Sequence, residues 1–151
     1  MKNIFVALLL LSSASFAQNR DRNDRNDQPP TNVRRSFERN HADTKNTQWT
    51  KSSSNWHANY RDNNNRSVDS YYDRRGNLMA THREINRNEV PRRVDTRVTN
   101  LYHPRGNYTV RKIERPNAPS LFQIILELAT GGSRTVYMDE QGRQREYHSP
   151  Y

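Results

Sequence analysis

Two stretches of this chain, 66 residues apart, carry the same alternation of apolar and polar side chains. Asn55–Ile85 aligns with Leu121–Tyr151 without a gap, and Ser67/Ser133, Tyr71/Tyr137, Asp73/Asp139, Gly76/Gly142 and His82/His148 are identical. Phase says more than the identities do. Trp56, Ala58 and Tyr60 fall on Phe122, Ile124 and Leu126, so each stretch sends every second side chain to one side, the period of a half-buried strand. Both stretches also carry Asp-x-x-Gly, at Asp73–Gly76 and Asp139–Gly142. There an aspartate can accept backbone N–H bonds while a glycine takes positive φ, which closes a hairpin. A calcium loop would need several oxygen ligands at alternating positions, and these turns offer one or two.

Each repeat is preceded by a helical spacing. Val33 and Phe37 lie i, i+4, predicting a helix from about Asn32 to His41 with Ala42 beyond it. Val90, Val94, Val98 and Leu101 predict a second, with Pro91 in its first turn. Strands are expected at Thr47–Lys51, Asn55–Arg61, Val68–Tyr72 and Leu78–Ile85, with a turn over Asp62–Asn65. Four more are expected at Tyr108–Glu114, Leu121–Ala129, Arg134–Asp139 and Arg143–His148. The expected class is α+β: two tandem units of one helix and four antiparallel strands, forming one sheet with the helices on one face. The units run from about 33 to 86 and from 87 to 151. Only 31% of the chain is hydrophobic, which suits a thin core and a sheet covered on one side.

The N-terminus reads as a secretory signal over residues 1–17. Met1 and Lys2 give a positive start, Ile4–Leu11 an apolar run, and Ser15 and Ala17 the small residues before a cut at Gln18. The run is too short to cross a bilayer as a helix, and nothing after signal removal is apolar enough to span one. Gln18–Asn32 is built of Asn, Arg and Asp, ends near Pro29-Pro30, and predicts a disordered tether. A periplasmic or secreted protein is expected. The chain has no cysteine, which removes disulfides, thiol catalysis and thiolate metal sites.

Net charge is +9, and loss of Lys2 with the signal lowers it to +8. Such an excess, almost all arginine, suits either a soluble surface or an acidic partner. The five histidines, His41, His57, His82, His103 and His148, have no metal-ligand spacing. No nucleophile elbow, phosphate loop or close acidic pair occurs, so neither an enzyme nor a cofactor site is expected.

Val33-x-x-x-Phe37, Trp49, Ala58-x-Tyr60 and Tyr71-Tyr72-Asp73-x-x-Gly76 together resemble the PepSY-like, β-lactamase-inhibitor-like exported proteins of Bacteroidetes-type bacteria. So do Val90-Pro91-x-x-Val94, Tyr102 before a turn, and Met138-Asp139-x-x-Gly142. The resemblance covers about Val33 to Tyr147. It implies tandem helix-plus-sheet units, an envelope location, and binding of a protein or ligand without known chemistry.

If Trp56, Tyr60 and Phe122 face the helices, alternation sends Tyr71 and Tyr137 to the opposite face. His57, Arg61, Gln123 and Glu127 share that face, and Arg83 joins them in this reading. Aromatic and arginine side chains on a free sheet face suit a protein-binding surface; a solvated face with ordinary cross-strand pairs suits them equally. The expected function is an exported, non-enzymatic module that engages an envelope protein or ligand there. The alternative is a basic adhesin or scaffold that binds anionic polysaccharide, lipopolysaccharide or nucleic acid through Arg74, Arg75, Arg92, Arg93 and Arg97.

Overall fold

The computed structural model describes residues 28–41, 44 and 46–150. The expected signal (1–17), residues 18–27 of the expected tether, and Ala42 lie outside the described residues. Helix α1 (Thr31–Asn40) precedes β1 (Gln48–Ser52), β2 (Asn55–Arg61), β3 (Ser67–Tyr72) and β4 (Leu78–Ile85). A 3-10 turn (Arg87–Glu89) leads into α2 (Arg92–Tyr102), then β5 (Thr109–Arg115), β6 (Ala118–Glu127) and β7 (Ser133–Met138).

The seven strands form one open antiparallel sheet in sequence order, so each pairs with the strand before it in the chain. One rung runs Tyr60, Val68, Arg83, Lys112, Phe122, Met138, which places these side chains on a common face. Both helices pack on that face. Val33 and Phe37 of α1 lie on Trp56, Ala58, Tyr60, Val68 and Tyr72. Val94 and Val98 of α2 lie on Val110, Phe122, Ile124, Leu126, Val136 and Met138. Phe122, 2% exposed, faces α2 as the alternation predicted. Between these two apolar clusters the same face is polar, with Ser70, Thr81, Arg83, Lys112 and Glu114 in neighbouring rungs.

Leu101 does not belong to the apolar stripe of α2 and is half exposed. The helix starts at Arg92, so Val94, Val98 and Tyr102 share its inner side at i, i+4, i+8. Val90 reaches the same core from outside the helix, after the 3-10 turn, where Glu89 Oε2 accepts from the Asn86 backbone N–H at 2.9 Å.

The Asp-x-x-Gly turns are built as expected, and a third loop copies them. Asp62, Asp73 and Asp139 each use Oδ1 to accept from the backbone N–H groups two and four residues on. Asn65, Gly76 and Gly142 supply the positive φ. A Cβ at Gly76 would lie 2.8 Å from the Asn32 carbonyl oxygen at the start of α1, and one at Gly142 would lie 2.8 Å from the Arg93 carbonyl oxygen at the start of α2. Each turn is thus pressed against the first turn of a helix, where a side chain does not fit.

The expected eighth strand, Arg143–His148, is absent; only an isolated bridge joins Met138 to Gln144. That bridge repeats the Tyr72–Leu78 pairing 66 residues earlier. The chain then leaves β7 because Arg143–His148 (RQREYH) has no aliphatic residue to lay over the core. Arg145 folds back on Asp139, with Nε and Nη2 at 3.0 and 2.8 Å from Oδ2.

Candidate functional site

The face without helices carries the side chains that no core packing explains. Asp69 on β3 stands at its centre. His57 Nε2 and Asn59 Nδ2, both on β2, lie 2.7 Å from its Oδ1, and Arg111 on β5 donates to Oδ2. Burial alone would raise the Asp69 carboxyl, but hydrogen bonds from His57, Arg111 and Asn59 outweigh it and hold the group well below the usual carboxylate range. Asp69 is therefore an anion at neutral pH, bonded to a histidine, an amide and a guanidinium.

Tyr71 adjoins this network. Its ring stacks on His57 with centroids 4.8 Å apart and meets the edge of His82 at 4.9 Å. Burial, helped by the Arg111 charge, pushes the His82 imidazole down to about 4, so it is neutral at physiological pH. His82 Nε2 lies 2.8 Å from the Tyr147 Oη, and the Tyr147 ring in turn lies 5.2 Å from that of Tyr137. Gln123 Nε2 donates to the Tyr137 hydroxyl at 3.2 Å, while its buried Oε1 has no hydrogen-bond partner among the described residues. The result is a polar and aromatic band across β2 to β7.

Of the expected site residues, His57 and Tyr71 are brought together, as are Gln123 and Tyr137. Tyr71 is on the expected side yet only 1% exposed, which makes it a support beneath the band and not a contact on it. Arg61 shares the face but sits at the end of β2, exposed, donating to the Asn65 carbonyl. Arg83 is a correction. It pairs with Val68 and Lys112 and so points to the helix side, because β4 carries a bulge opposite Tyr71/Tyr72 that shifts its alternation by one. Sequence reasoning missed Asn59, Asp69, His82, Arg111 and Tyr147. Asp69 was visible as the alternation partner of Tyr71, whereas Arg111 and Tyr147 join only through strand register and the path of the C-terminal segment. Among the described residues no group of three or more His, Asp or Glu side chains could hold a metal ion.

No family model matches the sequence, and no curated protein matches it. Solved structures do match in shape. A DUF2874 family protein from Bacteroides ovatus superposes with a TM-score of 0.71 at 17% identity, over 80% of this chain and 86% of that one. A protein from Bacteroides eggerthii, provisionally described as periplasmic, gives 0.71 at 13% identity, over 79% and 89%. A BLIP-like protein from Bacteroides fragilis gives 0.66 at 19% identity, over 79% and 84%. The chain shares its α+β fold with these Bacteroides proteins. At such identities the likeness is one of fold. No helix of the described residues is long and apolar enough to cross a membrane.

Proposed function

We propose that this chain is an exported, non-enzymatic binding module, built of two duplicated helix-plus-sheet units, that engages an envelope protein or ligand through its helix-free sheet face. The observation that carries the reading is the Asp69 network with its flanking aromatic residues. A face that merely met solvent would not need a buried carboxylate to fix His57, Asn59 and Arg111, nor a tyrosine packed between two histidines. Aromatic and arginine side chains held rigid beside polar donors are the composition of interface centres. Ile125, on the same face, leaves an aliphatic side chain 40% exposed.

The matching placement of Gly76 and Gly142 against the two helix starts supports the duplication, and with it the PepSY-like resemblance. The signal-like N-terminus and the fold shared with the Bacteroides eggerthii protein support an envelope location.

A second reading is favoured by one observation: Arg92, Arg93 and Arg97 are exposed on the outer side of α2, a cationic surface fit for an anionic polymer. Affinity capture from envelope extract separates the two. Ile125→Asp with Gln123→Ala should weaken capture of a protein partner, and Arg92, Arg93 and Arg97 changed to Glu should leave it intact at physiological salt, where screening shortens the reach of exposed charge to about 8 Å. The reverse ranking, with capture that collapses as salt rises, would favour the polymer.

A further inference from the structure

The C-terminal segment does something that its counterpart in the first half does not. Met138 faces Gln144 as Tyr72 faces Leu78, and Arg145 N–H donates to the Tyr137 carbonyl at 2.8 Å. From Leu78 onward the first half continues as β4. Beyond Arg145 the second half crosses the helix-free face instead. Tyr147 touches Tyr137 on β7 and His82 on β4, and the Pro150 carbonyl accepts from Asn55 on β2.

Tyr147 is the anchor of this crossing. The strands between its two ring partners are β5 and β6, and their open-face residues Ile113 and Leu121 are 0% and 5% exposed although no helix covers them. The phenol ring has Tyr137 on one side, the His82 ring at 5.6 Å and the Arg115 guanidinium at 5.8 Å, and its hydroxyl meets His82 Nε2. An aliphatic floor, aromatic walls, a cation and a partner for the hydroxyl together specify a tyrosine. Around this anchor, Glu146, His148 and Ser149 are exposed.

We propose that the segment after Arg145, residues 146–150, is a displaceable strap, occupying in cis a slot on the open face that accepts a tyrosine presented by an extended polypeptide segment of a partner. This rests on the reading of that face as the binding surface and names its ligand class. The strap competes through its tether: a site closed about nine-tenths of the time weakens the apparent affinity of an external segment about tenfold.

The probe is a synthetic peptide of residues 145–150 (REYHSP), titrated into the ¹⁵N-labelled chain and into a chain ending at Glu146, which keeps the Arg145–Asp139 pair. The shortened chain should show saturable shifts at His82, Arg115 and Tyr137, with an apparent Kd about tenfold below that of the full chain. A peptide carrying Tyr147→Ala should shift neither. Should the shortened chain fail to fold, the full chain bearing Tyr147→Ala takes its place and should bind the unaltered peptide with the same gain. Equal affinity for strapped and unstrapped chains, absence of binding at millimolar peptide, or equal binding of the alanine peptide would each overturn the proposal. Normal capture of the envelope partner by the Ile125→Asp/Gln123→Ala variant would overturn the binding-surface reading and leave this titration unaltered.

Discussion

The Tyr147 hydroxyl lies 2.8 Å from the Nε2 of His82, a residue 65 positions earlier in the chain. This contact joins the C-terminal segment to β4 across the helix-free face. His82 is 4% exposed. Replacing Tyr147 by alanine should readmit water and raise the His82 pKa from about 4 toward its ordinary 6.5, read from its ring proton shifts against pH. An unchanged value would mean that the strands alone bury the ring.

The same burial makes the fold acid-sensitive. Folded His82 stays neutral down to about pH 4, whereas the unfolded residue takes its proton near 6.5. Between these values the unfolded chain binds more protons, so stability falls as pH drops through this window. His41, lowered first by burial and then by Arg83, adds to the slope in the same direction. Asp69 acts lower: its folded value is depressed, so its contribution is lost only as pH falls through that depressed value, below the His82 window. His82→Gln should flatten the urea midpoint between pH 6.5 and 4 and leave the drop below pH 4 in place. A slope unaltered by the substitution would assign the acid limb to other groups.

Tyr71→Ala should destabilise the chain by about 3 kcal/mol or more, because a ring 1% exposed between His57 and His82 leaves a cavity when removed. Phe122→Ala should cost about 3–5 kcal/mol in the α2 core. Urea denaturation measures both. A silent Tyr71→Ala would mean the ring lies open to solvent.

These two aromatics show how far the sequence could be read. Alternation placed Phe122 under the helix and Tyr71 on the other side, and the structure agrees with both. The sequence could not show that Tyr71 is covered, since its neighbours His57 and His82 are set by strand register. Arg83 failed for a local reason: one bulge inverted its side, and a period-two pattern carries no mark of a bulge. The eighth strand failed because the repeat matched Asp139 and Gly142 correctly, while the residues after them lack the apolar side chains that hold Leu78–Ile85 in the sheet.

Glycine positions separate turn geometry from turn packing. Gly76→Ala and Gly142→Ala each meet a helix carbonyl at 2.8 Å and also strain a positive φ. Gly106→Ala strains φ alone, since nothing lies within 4 Å of its Cβ. The first two should lower stability well beyond the roughly 1–2 kcal/mol expected of left-handed strain, and Gly106→Ala should stay within it. Equal losses at all three would mean the turns do not brace the helices.

Photo-crosslinking in the native envelope tests the central claim most directly. A photoreactive amino acid at Ile125 reports on the helix-free face, and one at Thr96 reports on the exposed side of α2. The binding-module account predicts a discrete protein adduct from position 125 and none from position 96. An adduct from position 96 with silence at position 125 would put the partner on the helix layer and contradict it.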